Sequence, residues 1–168
     1  MDGKGHVHPV TAASRRRTWR RRLISTLLTL PFLAGWITAA SSADVNRLIH
    51  ATLDNRVADV AALLAGGADP DAHDRNRNTA LIFAARDGRT AIAKLLIDGG
   101  ASIDWQDGER VTPLILAAFK GHAAIAHMLI EHGADRQIRD QWGRTAADYA
   151  RRRGTQDEIY RMLRAAAE

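Results

Sequence analysis

From Asn46 onward, apolar residues recur in short bursts at helical spacing, each burst closed by glycine and followed by a polar stretch. After Thr79 the apolar positions are Leu81, Ala84 and Ala85, and a second burst carries Ile92, Leu95 and Leu96. After Thr112 the same places hold Leu114, Ala117 and Ala118, then Ile125, Met128 and Leu129. Such spacing gathers each set on one helical face and predicts pairs of short helices. Thr79 and Thr112 stand where a hydroxyl can accept a backbone N–H at a helix start. Pro113 follows at a first helical position, where its missing N–H costs nothing. Gly88 and Gly121 end the first helix of a pair in the left-handed conformation, and the second helices stop at Gly100 and Gly133. Neither helix is long enough to persist alone in water, so stacking of neighbours must stabilise both.

The bursts keep one period. Thr112 to Asp140 lies on Thr79 to Asp107 after a shift of 33 residues, and a further shift reaches Asn46 to Asp74. Thr145 continues the series. A fixed period of this size predicts a quasi-one-dimensional solenoid, with units over about 44–74, 75–107, 108–140 and 141–168. The end units break the pattern in one respect. Asp59 and Glu158 replace the inner Ile92 and Ile125, and Ala62 and Arg161 replace Leu95 and Met128. A terminal repeat has one unstacked face and needs polar residues there, so the pattern predicts four units as the complete array.

These residues resemble the ankyrin repeat. The family pattern of Thr-Pro-Leu-His-x-Ala-Ala, Gly-His, Leu-Leu and Gly-Ala-Asp is carried by Thr112-Pro113-Leu114, Ala117-Ala118, Gly121-His122, Leu129 and Gly133-Ala134-Asp135. Thr79, Leu81, Ala84-Ala85, Gly88, Leu95-Leu96 and Gly100-Ala101 carry it one unit earlier. The resemblance implies an all-α solenoid of helix-turn-helix units joined by β-turn fingers. Its usual task is binding another protein on a concave face, without cofactor. Two departures stand out. The histidine of the opening motif is Ile49, Ile82 and Ile115 here, so its hydrogen bond to the threonine is expected to be absent in every unit. Glycine two places before the threonine occurs only as Gly143, with Arg77 and Arg110 in its place elsewhere, so those two turns are expected to differ in shape.

Charge separates the chain into two parts. Its net +5 is concentrated in residues 1–43, which hold +6, while residues 44–168 hold −1. Phosphate-backbone binding needs a clustered basic face, and the only tight cluster in the repeats, Arg151-Arg152-Arg153, reads as a solvated helix end. No nucleic-acid partner is expected. Ser14 to Arg22 forms a basic run, Leu23 to Ala40 follows without a charge, and Thr38-Ala39-Ala40 and Ser41-Ser42-Ala43 offer small-residue ends. That order describes a secretory signal peptide, with a disordered stretch before it and cleavage after Ala43. Competing readings are an uncleaved anchor, since 18 uncharged residues approach the ~20 that span a bilayer, and a twin-arginine signal on Arg16-Arg17-Thr18-Trp19. A mitochondrial transit peptide fits worst, because the apolar run is not amphipathic. The repeats face the periplasm or the exterior in the favoured readings. Periplasmic residence, tethering to the inner membrane and secretion as a host-directed effector all remain open. Arginine outnumbers lysine 21 to 3, which points to a GC-rich bacterial genome. A monomer is expected.

The chain has no cysteine, which excludes disulfides, thiolate nucleophiles and cysteine zinc sites. His127 and His132 are five apart and fall on different helix faces, whereas helical metal pairs want i, i+4. Asp74, Asp107 and Asp140 recur with the repeat, each before a turn, and are read as turn-capping aspartates. Trp105 is read as packing between repeats, and His122 as a hydrogen-bonding residue at a helix start. No nucleophile triad, phosphate loop or dinucleotide fingerprint occurs, so no catalytic residue is assigned.

Carried over from the family, finger tips and first-helix ends line the partner groove. These positions are Arg75, Asn76, Asn78, Arg86 and Asp87, then Glu109, Val111, Phe119 and Lys120, then Gln141, Trp142 and Arg144. Trp142 and Phe119 stand out, because aromatic residues and arginine dominate binding hot spots.

Overall fold

A computed structural model describes residues 42–154 and 156–165, with side chains from Arg47 onward. The proposed export segment, residues 1–43, lies outside the described residues except at its end, where the expected cleavage point falls in the first turn of helix α1.

Eight helices occur among the described residues, in four pairs. They are α1 (Ser42–Leu53) with α2 (Val57–Ala65), α3 (Ala80–Asp87) with α4 (Thr90–Asp98), α5 (Pro113–Lys120) with α6 (Ala123–Glu131), and α7 (Ala146–Arg151) with α8 (Glu158–Arg164). The first helices of the pairs stack as one row, α1–α3–α5–α7, and the second helices as another, α2–α4–α6–α8. Small residues permit the close approach of the first row. Ala84, Ala85, Ala117, Ala118 and Ala150 are fully buried. Leu81, Ile92, Leu96, Leu114, Ile125 and Leu129 fill the space between rows. At the ends, Asp59, Ala62, Glu158 and Arg161 are exposed where Ile92 and Ile125 are covered.

The starts of α3, α5 and α7 are each fixed by a threonine. Thr79 Oγ1 accepts from Ile82 N at 3.3 Å, and Thr112 Oγ1 from Ile115 N at 3.2 Å. The last unit corrects one expectation. Asp148 stands in the column of Ile82 and Ile115, and its carboxylate accepts from both the backbone N–H and the hydroxyl of Thr145, each at 3.0 Å. A polar residue at this column therefore does hydrogen-bond the threonine there, in a reciprocal capping arrangement.

Between pairs the chain forms three fingers of one design. Asp74 Oδ1 accepts from the N–H groups of Asn76 and Asn78, Asp107 Oδ1 from Glu109 and Val111, and Asp140 Oδ1 from Trp142 and Arg144, all at 2.8–2.9 Å. This is the turn-capping role read from the repeat. The expected difference in shape between glycine and arginine turns is not found. Arg77 and Arg110 adopt φ of 63° and 61°, beside 73° for Gly143. The aspartate clamp imposes the left-handed turn on arginine, at a cost of about 1–2 kcal/mol for a residue with a Cβ. Adjacent fingers are tied tip to tip by Gly108 N to Asn76 O (2.9 Å) and Gln141 N to Glu109 O (3.0 Å).

Further ties run between pairs. Trp105 donates its indole N–H to Arg77 O at 2.7 Å, beneath the Arg77 guanidinium, and packs between repeats against the His73 ring of the preceding unit. His122 bonds at a helix start, but its partner is Arg86 O, one unit back, at 3.2 Å. Its ring occupies the space a Cβ on Gly88 would need, 2.7 Å away. Arg153 closes over Gly121 in the same manner and reaches Lys120 O at 3.4 Å.

Candidate functional site

An open apolar groove of about 290 Å³ runs along α5 and α7 between the third and fourth units. Val111, Ile115, Leu116 and Tyr149 form its floor, Phe119 and Trp142 its walls, and Glu109, Arg144 and Arg152 its polar margin. Phe119 is 49% exposed and Trp142 53%, and Val57, at 36%, is the other exposed large hydrophobic residue among those described. Surface of this kind, uncovered and adjacent, marks an interaction site more than a scattered single residue does.

The groove is held by buried polar contacts. Tyr149 is 8% exposed and donates its hydroxyl to Asp140 Oδ2 at 2.5 Å. Burial pushes the Asp140 carboxyl upward, but the Tyr149 hydroxyl and the backbone N–H groups of Arg144 and Trp142 outweigh it and hold the group below the usual range. Burial and the Asp140 charge raise the Tyr149 phenol, so the pair is ionised carboxylate with neutral phenol. One aspartate thus fixes both the Trp142 finger and the ring beneath Phe119. Phe119 meets Tyr149 edge-on, with centroids 5.4 Å apart and planes at 68°, a favoured aromatic geometry. Lys120 lies 5.2 Å over the Phe119 ring and Arg144 5.8 Å over Tyr149.

Of the twelve positions expected to meet a partner, Glu109, Val111, Phe119, Trp142 and Arg144 come together here. Lys120 borders them, and Gln141 is exposed beside Trp142. Val111 contributes from below, being 6% exposed. Arg75, Asn76 and Asn78 line a second, polar recess with Arg77, Asp107, Gly108 and Glu109. There the Asn78 amide donates to Asp74 Oδ2 at 2.9 Å and serves its own finger. Arg86 and Asp87 form an ion pair at 2.8 Å that holds Asp87 below its usual range. Four groove residues went unmarked in the sequence: Ile115, Leu116, Tyr149 and Arg152. Arg152 sits one period beyond Phe119, so extending that column into the fourth unit would have found it, whereas the triple arginine suggested only solvent.

No group of three or more His, Asp or Glu among the described residues could hold a metal ion. His127 pairs with Glu131 at 3.2 Å on an exposed helix face. The arrangement is that of a stacked helix-pair solenoid with an apolar groove on one face. The chain belongs to the ankyrin-repeat family: the family model for ankyrin repeats (three copies) matches residues 48–140 and 92–168. Ankyrin repeats are protein–protein interaction modules. A comparison with curated proteins finds no match.

Proposed function

We propose that the chain is an exported, non-catalytic binding module that captures a partner protein in the periplasm, through the face made by its first helices and fingers. The observation that supports this most is the pair of half-exposed aromatic walls, Phe119 and Trp142, on either side of an apolar floor. Leaving two large rings half in water forgoes about 1 kcal/mol of burial for each, which a partner's surface would recover. Export rests on the basic run before the uncharged stretch from Leu23 to Ala40.

The test is crosslinking in cells producing the chain with Phe119→Ala and Trp142→Ala, beside the unaltered protein. Partner capture should fall while helical content stays the same; unchanged capture would move the docking site elsewhere. N-terminal sequencing of the exported chain separates release from tethering. A start at Asp44 supports a free periplasmic module, whereas retention of residues 1–43 in the membrane fraction supports an anchored scaffold.

A further inference from the structure

The margin of the groove is unbalanced in charge. Lys120, Arg144 and Arg152 surround it, against the carboxylate of Glu109 at the margin, with Asp87 acting on Lys120 and the buried Asp140 on Arg144. Among the described residues, none of these three cations is held in an ion pair. Asp140, beneath them, is engaged by Tyr149 and two backbone N–H groups, and Asp148 by Thr145. The imbalance is local, because residues 44–168 as a whole carry −1. Cations placed around an apolar recess select what enters it through the charges flanking the inserted group.

We propose, resting on the reading of this groove as a docking site, that its occupant is an acidic peptide segment of the partner protein. One or two large apolar side chains enter between Phe119 and Trp142, and flanking carboxylates meet Lys120, Arg144 and Arg152. The volume fits this size of insert, since it lies at the lower limit of the ~300–1,000 Å³ typical of whole small-ligand sites. The chain's own residues 1–43 are poor competitors, because their +6 would bring like charge to the rim. Repulsion by the same cations acts against any basic partner.

Fluorescence anisotropy with the full chain tests the assignment. Three labelled hexapeptides serve as probes: Glu-Asp-Phe-Leu-Asp-Glu, Lys-Arg-Phe-Leu-Arg-Lys and Glu-Asp-Gly-Ser-Asp-Glu. The first should bind roughly tenfold more tightly than either of the others, as a few exposed ion pairs added to apolar contact allow. Raising the salt concentration should erode its advantage over the basic peptide. Lys120→Glu with Arg152→Glu, both at exposed positions, should reverse that preference, with circular dichroism confirming the fold. Lys120→Gln with Arg152→Gln, which should abolish the preference, replaces that variant if the reversal disturbs folding. Equal binding of acidic and basic peptides, lost on Phe119→Ala with Trp142→Ala, would overturn the acidic partner and leave the docking site standing. Acidic-peptide binding indifferent to those two aromatic substitutions would overturn both. Absence of binding by the first peptide would overturn the acidic partner, while partner crosslinking decides the docking site separately.

Discussion

Two neighbouring finger pairs in this protein share a backbone and present opposite surfaces. In both, the first finger's tip carbonyl receives an N–H from the next, Asn76 O from Gly108 and Glu109 O from Gln141. In both, an aspartate clamps the turn. Moving one period forward replaces Asn76 by Glu109, Asn78 by Val111, Arg86 by Phe119 and Glu109 by Trp142. The earlier junction is consequently polar. Arg86 covers the Phe83 ring at 4.7 Å and is itself held by Asp87, so aromatic surface there is already occupied. At the later junction nothing covers Phe119 and Trp142 to the same degree, and the recess becomes apolar. Repeat architecture makes such contrasts informative, because the scaffold term is common to both and only the altered columns differ.

Removing the clamp should separate the two junctions most sharply. Asp140 is 1% exposed, and Asp140→Ala leaves the Tyr149 hydroxyl and two N–H groups without their acceptor. A destabilisation of about 2–4 kcal/mol is expected. Asp74 serves Asn76 and Asn78 nearer to solvent, which can replace it, so Asp74→Ala should cost about 1–2 kcal/mol. Urea unfolding midpoints of the two variants check the order. Equal losses would mean that the Tyr149 contact adds nothing to the later finger.

Acid titration tests the same contacts without mutation. Burial raises the Asp74 and Asp140 carboxyls, but their hydrogen bonds together bring both below the usual range, and the Thr145 backbone N–H does the same for Asp148. Depressed carboxyls favour the folded state when ionised. Their contribution is complete above the unfolded carboxylate range near ~4 and is lost as pH falls from there through the folded values. Thermal midpoints should drop over that acidic window, and Asp140→Asn should flatten the drop more than Glu131→Gln on its exposed helix face. An equally steep acid limb in Asp140→Asn would remove Asp140 from the account.

How much of this was legible beforehand depends on the range of the interaction. Helix caps at Thr79 and Thr112, turn clamps at Asp74, Asp107 and Asp140, and polar ends at Asp59 and Glu158 follow from short-range rules repeated at one period. Turn shape at Arg77 and Arg110 was not legible, because residue preference favours glycine there and the aspartate clamp overrides it. His122 bonding back to Arg86 O depends on how units nest, which one unit's sequence does not contain. Tyr149 entered the groove for the same reason, since its role arises across a junction, whereas Arg152 was within reach by extending the Phe119 column one period. The aromatic walls were legible as exposed columns, whereas the cationic rim required the neighbouring unit to be in place.

A smaller effect distinguishes the arginine turns. Arg110→Gly relieves a left-handed residue with no ring beneath it and should stabilise the fold by about 0.5–1 kcal/mol. Arg77→Gly relieves the same strain but removes the guanidinium 5.2 Å over Trp105, worth about 0.5–1 kcal/mol at an exposed site. Its net change should be near zero. Thermal unfolding of both variants measures the difference, and equal stabilisation would show the Arg77–Trp105 contact to be idle.

A modest change in stability should accompany the largest consequence for the surface. Phe119→Arg installs the earlier junction's residue in the later one, at a position already half in water. Loss of the edge-on contact with Tyr149 should cost about 0.5–1.5 kcal/mol. The guanidinium can lie over Leu116 and Tyr149 as Arg86 lies over Phe83, closing the recess and adding a fourth cation to its margin. A dye that fluoresces in apolar recesses should therefore lose signal with Phe119→Arg and gain it when Arg86→Phe is combined with Glu109→Trp, which transfers the later surface to the earlier finger. If the signal follows the transferred residues, the binding surface resides in those columns alone. If it stays with the third and fourth units, the groove depends on the buried Asp140–Tyr149 pair, which the earlier junction, with Asp107 and Leu116 in those columns, lacks.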